Sequence, residues 1–394
     1  MNAKKIDKKM GELVLSNEMS GGALIVRKAS DVIYENYWGC ADTENKISVK
    51  PNTMFRMASV SKAMSCIGFL KLIDSGKVKL DDEVATYIPE FEECRVVADD
   101  RFTPDKFSIE NLPILKEEVK KDDIRTVPAV RGLTLRDLVS HSCGLEMGVV
   151  GFVRGMLMEY QNDNIETRVQ KYAKYPLDFQ PGTQTGYCPR AAFDILSYIC
   201  EIVSGKSFDN YMYDEVFSPL GMKDTCFRPN SEQISRLARL YVSENGTLKD
   251  VSGVKDSDKL GLIGKNYISA SAGIFSTVKD FDAFAAMLVN GGEWNRNRIL
   301  SEKLVKRIGK EGAYKHLEFR PGMSWGLGML IRTNPKVAGS ALPVGSFGWS
   351  GAYGTHFFIS PSDKISAVFC MNRENIGGSG SYIAKLIEDM IYGD

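Results

Sequence analysis

Three groups of residues in this chain have types and spacing suited to covalent chemistry: Ser59-Val-Ser-Lys62, Tyr187, and Trp349-Ser350-Gly351-Ala352. A serine and a lysine three residues apart, a distant tyrosine and a late aromatic-Ser-Gly-small turn together describe an active-site-serine enzyme that transfers acyl groups. The Ser-x-x-Lys spacing alone carries little, because it occurs three times, at Ser59/Lys62, Ser252/Lys255 and Ser276/Lys279. Setting separates them. A free serine hydroxyl is almost wholly protonated at neutral pH and needs a base to become a nucleophile. Residues i and i+3 share a helix face, so a helix starting at or just after Ser59 points Lys62 back at it. Burying an amine in apolar surroundings favours its neutral, proton-accepting form. The unpaired N–H groups and dipole at a helix N-terminus also favour the negative charge that develops on an attacked carbonyl. By contrast, Ser252 falls in a Gly-containing polar loop and Ser276 reads as the N-cap of the next helix.

The elements that must position these residues follow from the apolar pattern. Residues 4–18 read as an amphipathic helix ending before Gly21-Gly22, and Ala23–Val26 and Val32–Trp38 as strands joined by the hairpin signal Lys28-Ala-Ser-Asp31. From Val60 to Ile73 the residues are apolar on nearly every face, which marks a buried helix closed by Gly76. Asp81 to about Asn210 reads as mostly helical, with a polar, Pro-containing, loop-like insertion around 96–130 whose charge run Lys116–Asp123 is solvated. Residues 232–250 return to short β or irregular structure, and Phe281–Leu288 reads as a helix before the turn Asn290-Gly-Gly292. Met323–Ile331, Ser346–Ser350, Thr355–Ser360 and Ile365–Met371 read as single strands, and Ser381–Ile391 as a closing helix. Strands at both chain ends and helices between them predict an α/β fold: an antiparallel sheet flanked by helices, residues 1–80 and 231–394, with an inserted, mainly helical domain over 81–230.

The stretch Met54-Phe-Arg-Met-Ala-Ser-Val-Ser-Lys62 closely resembles the nucleophile segment of the serine β-lactamase-related superfamily. Further matches follow in order: Leu80–Pro89, Leu133–Leu145 ending His-Ser-Cys-Gly-Leu, Pro219–Thr225 and Ala272–Asp280, so that the resemblance spans roughly residues 20–390. It implies a β-lactamase/transpeptidase-like fold in a group that includes class C β-lactamases, DD-peptidases, family VIII carboxylesterases, D-amino-acid peptidases and some acyltransferases. Where the family carries Tyr-x-Asn, this chain has Tyr187-Cys-Pro189. The resemblance gives the Tyr187 phenol a share in proton transfer with Lys62, while Pro189 removes the asparagine amide that contacts substrate amide groups. Where the family carries Lys/His-Thr/Ser-Gly on the strand lining the site, this chain has Trp349-Ser350-Gly351. Gly351 then permits close approach of substrate, the Ala352 N–H completes an oxyanion hole with that of Ser59, and Trp349 replaces a carboxylate-binding cation with an apolar wall, as in the esterase branch.

Size and charge bound the alternatives. The 394 residues are 43% hydrophobic and 25% charged, with 50 Lys+Arg against 50 Asp+Glu, which is ordinary for a globular chain with an ample core. Zero net charge offers no broad basic field for nucleic acid or membrane, so a neutral small molecule is the expected partner. The eight cysteines include no Cys-x-x-Cys pair and are expected to be reduced, mostly buried thiols. After the basic start, the apolar run Leu13-Val-Leu15 is too short for export or a membrane span, which predicts a cytoplasmic protein. A Ser-His-Asp hydrolase is disfavoured: only His141, His316 and His356 are available, and Gly348-Trp-Ser350-Gly-Ala352 lacks the last glycine of the nucleophile elbow. No metal-binding pattern is present, and the chemistry needs no cofactor. The resulting expectation is a carboxylesterase that forms an acyl-enzyme on Ser59. A β-lactamase, D-amino-acid amidase or peptidase, or acyltransferase on the same site is the alternative, and a catalytically weak binding or assembly protein is a more distant one. Phe152–Met158 reads either as an apolar acyl pocket or as helix core.

Overall fold

A computed structural model describes residues 1–108, 110–158, 163–252, 267–310, 312–378 and 380–393. Its centre is an eight-stranded antiparallel sheet drawn from both ends of the chain. The strands are β1 (Gly21–Lys28), β2 (Asp31–Asp42), β3 (Ile47–Ser48), β4 (Met323–Trp325), β5 (Leu330–Arg332), β6 (Phe347–Ser350), β7 (His356–Ser360) and β8 (Ile365–Met371), in the spatial order β4-β5-β6-β7-β8-β1-β2-β3. Strand β1 sits between β8 and β2, with Leu24 opposite Phe369 on one side and Asn36 on the other. Its side chains alternate between two cores: Ala23 and Ile25 face one, Leu24 and Val26 the other. A strand buried on both faces needs the unbroken apolar run Ala-Leu-Ile-Val that it has.

Helix α1 (Ala3–Leu15) and helix α5 (Tyr382–Tyr392) cover one face, packing Ile6, Met10, Leu13, Ile383 and Ile387 against Leu24, Val26, Phe358 and Phe369. On the other face lie α2 (Val60–Asp74), α3 (Ala191–Ser204) and α4 (Val278–Val289). Nearly every residue of α2 is buried, and α3 packs directly on it. Between Asp81 and Asn230 no described residue joins the main sheet. All eight cysteines are free thiols. Among the described residues no helix is long and apolar enough to cross a membrane.

Three local expectations are corrected, and one open alternative is resolved. Met323–Ile331 is not one strand but the hairpin β4–β5, because Gly326 and Gly328 turn the chain and Gly328 adopts φ +75° against α2, where a Cβ would meet Cys66 Sγ at 2.4 Å. The stretch around 96–130 is not all loop: strands Arg95–Val97 and Thr126–Pro128 pair around a helix over Leu112–Lys120. Leu115 and Val119 bury one face of that helix against Val149, Val150 and Val153, leaving the charge run on the outside. Of the two readings of Phe152–Met158, helix core holds: Phe152–Leu157 lies in the helix Val149–Leu157, whose Val153 packs in that cluster. Finally, the N-cap of α4 is Thr277, not Ser276, and Ser276 lies in a short strand. Lys255 lies outside the described residues.

Candidate active site

The serine is placed by a short strand pair beneath α2. Met54–Arg56 pairs with Phe275–Thr277, and Met57 N–H donates to Ile274 O at 2.9 Å. Ala58 then takes φ +46°, a conformation uncommon for a residue with a Cβ, and the chain enters α2 with Ser59 at the N-cap. The Ser59 side chain makes no capping bond, which leaves its hydroxyl available. The first two turns of α2 are sewn to residues 270–274: Ser61 Oγ accepts from Ile274 N–H at 3.0 Å, and Ser65 Oγ donates to Ala270 O at 2.8 Å.

Two side chains converge on Ser59 Oγ. Tyr187 Oη donates to it at 2.7 Å and Lys62 Nζ at 3.4 Å. Lys62 is 1% exposed, and its second hydrogen bond goes to Ser271 O at 3.0 Å. No described carboxylate lies within 4.0 Å of it; the faces of Tyr187 (5.0 Å) and Phe193 (5.8 Å) flank its nitrogen instead. Ser271 was not singled out in the sequence, since a backbone carbonyl carries no residue-type signal. Trp325 was likewise missed: its ring lies 4.5 Å from that of Trp349 and 6.2 Å from that of Tyr187, so the aromatic wall is built from two tryptophans and the tyrosine.

Strand β6 ends against the nucleophile turn. A Cβ on Gly351 would stand 2.4 Å from Met57 O and 2.1 Å from Thr355 Oγ1, so this glycine is required by the approach of the protein's own Met57–Ala58 backbone. That gives a reason for glycine here that the sequence did not show. Thr355 Oγ1 donates to Met57 O at 2.9 Å and fastens the two segments together. The Gly351 N–H is used by Thr355 O at 2.7 Å. The N–H groups of Ser59 and of the exposed Ala352 meet no acceptor among the described residues.

Ser350 departs from expectation. Trp349 faces the α2 side of the sheet, so its neighbour faces the other, where Ser350 Oγ bonds His356 Nδ1 at 2.8 Å. His356 Nε2 lies 3.4 Å from Glu388 Oε1, which also takes Arg332 Nη2 at 2.7 Å. A serine, a histidine and a carboxylate are thus in line, yet all three are buried and the adjoining cavity, about 10 Å³, has room for about one water and cannot admit a substrate. Ser350 therefore ties the strand to α5 and does not contact substrate. Burial pushes the Glu388 carboxyl up, but the His356 bond and the Arg332 charge outweigh it and hold it below the ordinary range.

A helix-terminal serine with a lysine one turn on, set beside an antiparallel sheet, defines the architecture of the serine-hydrolase superfamily that includes β-lactamases and DD-peptidases. The chain belongs to the Beta-lactamase family, whose family model matches residues 3–389. It is 25% identical over 414 residues to the esterase EstB of Burkholderia gladioli, covering 99% of this chain and 95% of that one. It is 23% identical over 378 residues to a putative D-alanyl-D-alanine carboxypeptidase of Escherichia coli K12, covering 89% and 77%. In fold it is similar to EstCE1, a hydrolase with promiscuous acyltransferase activity, at a TM-score of 0.80 with 23% identity, covering 99% of this chain and 98% of that one. Family and relatives point to a hydrolase.

Proposed function

We propose that this protein is a carboxylesterase acting on small neutral esters through an acyl-enzyme on Ser59. The observation that carries the reading is the convergence of Tyr187 Oη and Lys62 Nζ on one half-buried hydroxyl, at 2.7 and 3.4 Å. Ser59 Oγ attacks the ester carbonyl carbon while its proton passes to Lys62 Nζ, which acts as the neutral amine of the Lys62–Tyr187 pair. The carbonyl oxygen becomes an oxyanion, received by the free N–H groups of Ser59 and Ala352. The C–O bond to the alcohol breaks, and Tyr187 hands the alcohol its proton. Water, losing a proton to the same pair, attacks the acyl-enzyme and releases the acid and Ser59. The balance needs neither cofactor nor metal.

Ester is preferred to amide on two grounds. Pro189 stands where an asparagine amide would hold a peptide or β-lactam side chain, and Trp349 stands where a cation would hold a carboxylate. The name of EstB as an esterase points the same way. We read residues 81–230 as an inserted unit that carries Tyr187 to the sheet's edge. The test is a comparison of kcat/KM for short-chain p-nitrophenyl esters, a D-alanyl-D-alanine peptide and a chromogenic cephalosporin. The reading expects esters to lead by at least about 10²-fold and all turnover to vanish in Ser59→Ala. A cephalosporin or peptide turned over faster than every ester would replace it with the β-lactamase or peptidase alternative.

A further inference from the structure

Tyr187 can serve Ser59 only while its phenol stays in place, yet it lies in Pro181–Pro189, a stretch without helix or strand. One residue grips that stretch on both sides of the tyrosine. Gly186 N–H and Thr185 Oγ donate to His141 O at 3.2 and 3.0 Å, and Cys188 N–H donates to His141 Nδ1 at 3.0 Å. The imidazole also packs 5.2 Å from the Tyr187 ring and 4.2 Å from that of Trp325, whose Nε1 donates to Gly186 O at 2.9 Å. His141 sits at φ +50°, a left-handed conformation uncommon for a residue with a Cβ, and from it both carbonyl and ring reach the same loop. Such a conformation persists where surrounding bonds over-determine it.

We propose that His141 is the positioning residue for Tyr187, its carbonyl and Nδ1 clamping residues 185–188 so that the phenol is held at the Ser59 hydroxyl. An Nδ1 that accepts is unprotonated, which puts the ring proton on Nε2. Full burial holds the imidazole well below its ordinary range, so Nδ1 remains an acceptor at neutral pH. His141 exchanges no proton with substrate. The inference rests on the assignment of Ser59 and Tyr187 above, but it makes its own structural claim.

The test uses His141→Asn, whose side-chain oxygen can stand near the Nδ1 position, and His141→Gln, whose oxygen lies one bond farther out. The second-order rate of Ser59 labelling by a fluorophosphonate is measured for each, with melting curves alongside. The expectation is labelling within about threefold of wild type for Asn and about 10² slower for Gln. Thr185→Val, which removes one side-chain tether at a half-buried site, should slow labelling by about fivefold and serves if the Gln variant does not fold. Variants that label equally, or that slow only in proportion to their unfolded fraction, overturn the inference. Absence of Ser59 labelling in wild type would defeat the functional reading instead. The inference is then decided by a crystal structure of the Gln or Val variant, in which Tyr187 Oη still 2.7 Å from Ser59 Oγ contradicts it and a displaced 185–188 loop sustains it.

Discussion

At the scale of the residue, Lys62 is the unusual group. Its nitrogen has one carbonyl, one hydroxyl and two aromatic faces for company, and no described carboxylate to pair with. A lysine so placed is fixed with its nitrogen toward the serine, and burying it there is costly unless it serves a purpose. Replacing it with alanine should slow ester acylation by about 10²–10⁴, the range for a positioned general base, and Tyr187→Phe should fall in the same range. Stopped-flow acylation by p-nitrophenyl acetate reads both; near-normal rates in either variant would remove that residue from the mechanism. Ser59, Lys62 and Tyr187 were legible because side-chain type and order carry them. Ser271, His141 and Trp325 were not assigned to the site because a carbonyl, a loop clamp and a second tryptophan acquire meaning only through contacts that span the chain.

At the scale of the element, the site depends on short segments pressed together. Gly351 is one such tight point, and Gly351→Ala should push β6 off the Met57 backbone, costing about 1–3 kcal/mol of stability and lowering acylation further through the misplaced Ala352 N–H. Urea unfolding separates the two effects; an unchanged midpoint would deny the close approach. Two of the sequence motifs also meet. Asp280, in the first turn of α4, accepts from Asp224 N–H at 2.8 Å and from Thr225 Oγ1 at 3.0 Å. Burial nevertheless lifts its carboxyl to about 6 from the ordinary 3.8. An acid with a raised folded value keeps its proton longer when folded, so its contribution is complete below pH about 4 and is lost as pH rises to about 6. Asp280→Asn should therefore gain stability relative to wild type between pH 4 and 7, and a difference that stays flat across that range contradicts the assignment. The long elements were readable from periodicity. The Leu112–Lys120 helix was hidden because its charged face dominates the composition, although Leu112, Leu115 and Val119 keep helical spacing. The β4–β5 hairpin was hidden because its glycines sit inside an apolar run.

At the scale of the molecule, both faces of one sheet support the serine. The α2 face carries Ser59 and the aromatic wall. The other face anchors β6 through Ser350, His356, Glu388 and Arg332, linking the site to the closing helix α5. Glu388→Ala leaves the Arg332 charge, its side chain only 11% exposed, without its carboxylate partner and should cost about 3–5 kcal/mol, read as a lower melting temperature; a loss under about 1 kcal/mol would show that the pair contributes little. The sheet with strands from both ends was foreseeable from the element order, while the sealed Ser-His-Glu line beneath it was not, since Ser350 and His356 meet only by strand register and Glu388 arrives from α5. The central claim concerns one atom, Ser59 Oγ, and the mass of the intact protein after exposure to a fluorophosphonate tests it most directly. The account predicts a single adduct, mapped by digestion to Ser59 and absent from Ser59→Ala. A folded wild-type protein that takes no adduct, or takes it on another residue, would contradict it.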